Sequence, residues 1–300
     1  MFWVLSLLLA FHLLCVNLAS AGPLVCLYYE WSEGRGNLAS GRAGRNLALA
    51  GIVALLLGAL TGVLLGWLNW TPELRAGLQQ LSRKVHFGGM ELLFSLALMI
   101  WHWRWWRNES SKGRVGRYVV LLLAGTNLLY HFPTLFAVLS HLKATAEIPA
   151  EGRLPSISAA DFRGLLAQPA VLAQAIHVAL ASFAVAGVWL IFRADRCANE
   201  EDQLTAKSAS MIALLATVLQ FPVGFWLVAV YPPSAQKQLM GGDMLASVAF
   251  VLSMLGALGL LHFFSATMRR PESPKLRKWS VRLTVLIVVV MTIVLQRSRM

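Results

Sequence analysis

Eight apolar runs dominate this chain, at roughly 3–28, 46–68, 85–106, 118–141, 170–193, 208–231, 244–267 and 280–296. About 20 apolar residues in one helix cross the hydrocarbon of a bilayer. Lipid offers no partner to an open backbone N–H or C=O, so each run must be a helix that satisfies its own. Charged residues make up 13% of the chain, against about 25% in a soluble domain. The expected fold is therefore all-α: a polytopic membrane protein of about eight transmembrane helices. We expect two four-helix bundles, residues 1–141 and 170–300, joined by an outer loop, 142–169, in which Asp161-Phe162-Arg163 begins a short surface helix, all within one transmembrane domain.

The net charge of +12 belongs to topology, because no soluble stretch is long enough to form a basic nucleic-acid-binding domain. About two-thirds of the 26 Lys and Arg lie at the ends of runs 1, 3, 5 and 7 and in the loops that follow them. Positive residues stay on the cytoplasmic side, so both termini are expected outside. The first run lacks a basic stretch before it and stays apolar through Tyr29, so it reads as a membrane helix and not a cleaved leader, despite Ala19-Ser20-Ala21. Cys15, Cys26 and Cys197 form no C-x-x-C, which argues against zinc, covalent haem and a disulfide framework.

Ionisable groups inside membrane helices mark functional sites, because burying them is costly. His177 sits in the first third of run 5 among small residues: Ala173, Ala175, Ala179, Ala181, Ser182 and Gly187. Such a surface admits either a neighbouring helix or a flat porphyrin. Under the expected topology His12, His86, His131, His177 and Met244 share the outer half of the membrane or its outer edge. His102 and His262 fall near the inner surface among Trp and Arg, as interfacial residues. Glu91 lies among Leu, Met and Phe and must be protonated, paired or wetted; His86 is its nearest titratable neighbour. His86 followed by His131-Phe132-Pro133, and His177 followed by Gln220-Phe221-Pro222, suggest a repeat relating runs 3 and 4 to runs 5 and 6. No phosphate-binding loop, catalytic triad or H-E-x-x-H run occurs. Haem iron takes His nitrogen or Met sulfur as axial ligands, so His177 with Met244, and His12 alone, are candidate ligand sets.

Several stretches resemble subunit I of the cytochrome bd quinol oxidases. They include Phe11-His12-Leu13-Leu14 with the later Glu30, Leu57-Gly58-Ala59-Leu60-Thr61-Gly62 with Asn69-Trp70, and Met90-Glu91. They continue with Gly125-Thr126-Asn127-Leu128, Phe162-Arg163-Gly164-Leu165, Gln168-Pro169, Ala175-Ile176-His177, Asp243-Met244-Leu245 and Lys278-Trp279. The resemblance implies haem b, one or two, with His177 and Met244 as axial ligands of a low-spin haem. It implies His12 as a ligand of a second haem and Glu91 as a proton-carrying carboxylate; His86 is a further cofactor-site candidate. It implies electron transfer in a bacterial plasma membrane beside other redox subunits, with quinol oxidation or oxygen reduction as the reaction. The chain departs from that family where Tyr231 to Gly242 replaces the long quinol-binding loop. It departs again where Gln296 stands near a family Glu, and where the ninth helix is missing. Haem d is therefore not expected. The other readings are a haem-free transporter or channel lined by the His, Glu and kinked helices, and a haem-free assembly subunit.

Overall fold

The computed structural model describes residues 1–35, 38–106, 113–145, 154–194 and 200–297. Eight long helices are apolar enough to cross a membrane. They are α1 (Phe2–Glu33), α2 (Leu38–Leu68), α4 (Ser82–Trp105), α5 (Arg114–Thr145), α7 (Pro169–Ala194), α8 (Glu200–Val230), α10 (Met244–Arg269) and α11 (Pro274–Arg297). Three short helices, α3 (Pro72–Gln80), α6 (Ala159–Leu166) and α9 (Pro233–Lys237), lie in the connections. The long helices are apolar nearly all round. Leu60, Val63, Leu93, Val119, Leu215 and Leu255 are exposed, which in a membrane means facing lipid.

Helix ends follow local chemistry. Pro72 opens α3 behind the Thr71 hydroxyl, which accepts from Leu74 N–H at 3.3 Å, and Pro169 and Pro274 open α7 and α11. Ser158 and Asp161 form a reciprocal capping box on α6, the surface helix expected around Asp161-Phe162-Arg163. The Ser158 hydroxyl and N–H donate to the Asp161 carboxylate and hold it below the usual carboxylate range. Where the resemblance led to the short Tyr231–Gly242 link, the chain forms α9 and then a wide turn over Gln238–Gly242. Gly241 there has φ 111°, a left-handed conformation that residues with a β-carbon rarely adopt. Asp243 then caps α10 by accepting from Ala246 N–H at 2.8 Å.

The contacts close two rings. In one, α1, α2, α4 and α5 each pack on the next; in the other, α7, α8, α10 and α11 do the same. The rings meet along α1 and α7, with α5 against α7, α11 against α1 and α2 against α8 at the flanks. Exchanging α1 with α7, α2 with α8, α4 with α10 and α5 with α11 reproduces this order of neighbours, apart from a small α2–α7 contact, so the two rings have a pseudo-two-fold connectivity about the seam.

That connectivity corrects the repeat expected from the His and Phe-Pro spacings. The structural equivalents of α7 and α8 are α1 and α2, not runs 3 and 4. Pro133 on α5 corresponds to a position on α11, which has no internal proline. The matching sequences are Phe11-His12 … Ala19-Ser20-Ala21-Gly22 and Ile176-His177 … Ala184-Val185-Ala186-Gly187, aligned residue for residue. Small side chains dominate the centre: Ala19, Ala21, Ala186, Ala209 and Ala213 are fully buried. A β-carbon on Gly22 would stand 4.0 Å from the Gly51 Cα, and one on Gly187 would meet the Ala209 oxygen at 2.7 Å. Without a hydrophobic drive between helices in lipid, this close backbone approach is what holds them.

Candidate functional site

His12 lies about 15 Å along α1 from its N-terminal end and His177 about 12 Å along α7, at 1.5 Å per residue. The pseudo-two-fold connectivity relates them. Each faces the second helix of its own ring. His12 Nδ1 is 3.0 Å from the Gly58 carbonyl oxygen and 3.3 Å from the Thr61 hydroxyl, and a β-carbon on Gly62 would come within 2.9 Å of the ring. His177 packs on α8, where a β-carbon on Gly224 would stand 3.7 Å from its Cε1, and the Gln220 amide donates to the His177 carbonyl at 3.5 Å. Gly62 on α2 thus faces the His12 ring as Gly224 on α8 faces the His177 ring. Asn17 and Ser182, each five residues beyond its histidine, meet across the seam. There the Ser182 hydroxyl donates to Asn17 Oδ1 at 2.9 Å.

The two rings differ in what their nitrogens can do. The Gly58 carbonyl can only accept, so His12 carries its proton on Nδ1 and presents a bare Nε2. A metal-ligating imidazole has the same arrangement, with one nitrogen donating to a carbonyl and the other free. His177 Nδ1 is shielded from solvent without a hydrogen-bond partner, a costly state for a polar atom in an apolar setting. No residue among those described bonds Nε2 of either ring. Both imidazoles are thus compatible with a ligand approaching Nε2, which is the test a haem site has to pass on this chain's own groups.

The other expected site residues are placed separately. Met244 is 83% exposed in the first turn of α10, the helix diagonally opposite α7 in its ring. His86 is exposed, with Nδ1 2.7 Å from the Ser82 carbonyl in its own helix. The expected pairing of Glu91 with His86 is not made. Glu91 is half-buried, its carboxylate bonds no described residue, and its backbone carbonyl accepts from the Asn127 amide, which also reaches the Ser95 hydroxyl at 2.8 Å. His131 packs against the rings of Phe87 and Tyr130. No group of three or more His, Cys, Asp and Glu among the described residues could hold a bare metal ion. Cys15 and Cys26 are buried free thiols; Cys197 lies outside the described residues.

One cluster escaped the sequence reading. His102, expected at the interface, is fully buried near the C-terminal end of α4 in the first ring. Its Nε2 lies 2.9 Å from Glu30 Oε2, and Arg117 Nε donates to Glu30 Oε1. Glu30 is 1% exposed. The triad joins the end of α1, the end of α4 and the start of α5. Arg117 had counted only as one of the positive residues of the inner side. Its pairing could not be read from spacing, since Glu30 and Arg117 stand on helices that only tertiary packing brings together.

No protein-family model matches the chain, and no curated protein matches it. Among solved structures the fold is similar to "The structure of bd oxidase from Geobacillus thermodenitrificans", with a TM-score of 0.80, covering 98% of this chain and 84% of that chain. The two sequences are 11% identical, so the likeness is one of fold. It accords with the resemblance noted in the sequence and with eight membrane-crossing helices.

Proposed function

We propose that the chain is a haem b-carrying subunit of a membrane electron-transfer complex of the bd-oxidase type. The observation that carries this reading is the pair of symmetry-related imidazoles, His12 and His177, held at similar depth with Nε2 unbonded. His177 would hold the first haem, and Met244 on the diagonal helix would be the second residue to hold it; the exposed Met244 side chain is not committed to packing. His12 holds a second haem, oriented by the Gly58 carbonyl. Haem iron in such a site supplies a reversible one-electron couple. The rest of the chain's task is to fix ligand orientation and exclude water. Glu91, whose carboxylate bonds no described residue, exchanges the protons that accompany electron transfer, with His86 at its outer end. The complex works in a bacterial plasma membrane with both termini outside. Other redox subunits supply or take the electrons, and quinol oxidation or oxygen reduction is the reaction served.

The second reading is a haem-free subunit of the same kind of complex. One observation favours it. The cavity described inside the first ring, lined by Gly22, Cys26, Leu47, Met99, His102 and Leu121, touches neither His12 nor His177, and each of those imidazoles is seated directly against a glycine of the next helix. The test is the visible spectrum of the protein purified in detergent. A reduced-minus-oxidised difference with a Soret band and a sharp alpha band is expected. His177→Ala should abolish the low-spin signal and His12→Ala the second haem. A colourless preparation, with membranes grown under haem supply, selects the haem-free reading.

A further inference from the structure

The turn between α10 and α11 carries a charge arrangement that neither haem nor helix packing uses. Residues 269–282 contain Arg269, Arg270, Lys275, Arg277, Lys278 and Arg282 against a single acid, Glu272. These cations are sorted by face. Arg277 turns inward, is 5% exposed and donates to the Pro271 carbonyl, and Ser280 beside it contacts the Thr267 hydroxyl at 3.2 Å. Lys275, Lys278, Trp279 and Arg282 recur at i, i+3, i+4 and i+7, which puts them on one stripe of α11, and all four are exposed. Lys275, Lys278 and Arg282 make no ion pair with any described residue. Trp279, 52% exposed, stacks on Phe263 of α10 with ring centroids 6.1 Å apart and planes 15° from parallel. Arg269 is steadied by the Ser265 hydroxyl at 3.0 Å.

We propose that this basic and aromatic stripe at the α10–α11 turn is a binding site for an anionic phospholipid of the leaflet that faces the positive side of the protein. The reason is depth. From Lys275 to Arg282 the stripe runs about 10 Å along α11, long enough to pass through the whole polar headgroup layer of one leaflet, about 5–7 Å. A soluble anion or an acidic protein would meet Lys275 but not follow the cations to Arg282. A lipid phosphate lies within that layer, with its acyl chains free to run along the apolar faces of α10 and α11, where Leu255, Leu258 and Leu286 are exposed. Trp279 on Phe263 supplies the amphipathic ring that settles at the same level. The inward Arg277 contributes no binding; it closes the turn.

The intact protein, in a non-ionic detergent, is titrated with dioleoylphosphatidylglycerol and separately with dioleoylphosphatidylcholine, and retained lipid is counted by native mass spectrometry. Retention of the glycerol lipid over the choline lipid is expected. The triple variant Lys275→Gln, Lys278→Gln, Arg282→Gln should weaken it about a hundredfold, at about fivefold per cation near a membrane surface. The matched variant at the opposite end, Arg75→Gln, Arg83→Gln, Lys143→Gln, should bind like the parent. Equal retention of both lipids by the parent overturns the proposal, as does equal loss in the two triple variants. Displacement of the lipid by inorganic phosphate at modest concentration also overturns it, since the site would then be one for free phosphate. If the first triple variant does not fold, the parent's choice between the two lipids and its response to phosphate decide alone.

Discussion

At the scale of single residues, the buried Glu30–His102–Arg117 triad is the costliest feature in the molecule. An imidazole, a guanidinium and a carboxylate are removed from water, and among the described residues His102 Nδ1 and Arg117 Nη1 have no partner. Such a group gains little against an apolar replacement, but removing one member leaves the others uncompensated. Glu30→Ala should therefore lower stability by about 3–5 kcal/mol, measured by thermal unfolding in detergent. Replacing all three by apolar residues of similar volume should cost far less. A Glu30→Ala loss below about 1 kcal/mol would mean that water reaches the cluster. His12 is held in the opposite way, by one backbone carbonyl on a glycine-lined surface. A residue at Gly62 with a β-carbon would push into its ring.

At the scale of the helix, packing depends on how near two backbones can come. Gly187 and Gly66 test this as a pair. A β-carbon on Gly187 meets backbone atoms of α8, the Ala209 oxygen at 2.7 Å and Ala213 nitrogen at 3.1 Å, whereas one on Gly66 meets nothing within 4 Å. Gly187→Ala should cost about 1–3 kcal/mol, because backbone cannot give way as a flexible side chain does. Gly66→Ala should be neutral or stabilise by up to about 1 kcal/mol through lost chain freedom. Unfolding curves for the two variants would separate these effects, and equal stability would reject the close approach of α7 to α8. At this scale the sequence was a good guide. Run lengths gave all eight membrane helices, and Asp161 marked α6. The α3 helix was not anticipated, because its nine residues carry no long apolar run and its start is set by Thr71 and Pro72.

At the scale of the whole molecule, the two rings are joined by apolar contact of α1 with α7 and by the polar link from Ser182 to Asn17. Hydrogen bonds between membrane helices average about 0.6 kcal/mol by double-mutant cycle. The cycle of Asn17→Ala, Ser182→Ala and the double variant should give a coupling near that value and not several kcal/mol. Small alanines at the seam then account for most of the adhesion. A coupling indistinguishable from zero would place the two side chains apart in the membrane. The same scale explains why the His and Phe-Pro spacings point to other helices than the contacts pair. Phe-Pro pairs are conspicuous in a sequence, whereas the true correspondence rests on His12 with His177 and on small residues that look like ordinary membrane composition. Its significance depends on which helices touch.

By itself the sequence determined that this chain lives in a bilayer and how many times it can cross. Those are consequences of hydrophobicity, length and the cost of burying charge, all of which act on one segment at a time. Tertiary structure alone decided that His12 and His177 are counterparts, that Asn17 meets Ser182, and that Glu30, His102 and Arg117 form one group. Each depends on the mutual placement of helices far apart in the chain. In lipid that placement is chosen by close contact of small residues, which hydropathy does not distinguish from the rest of an apolar run.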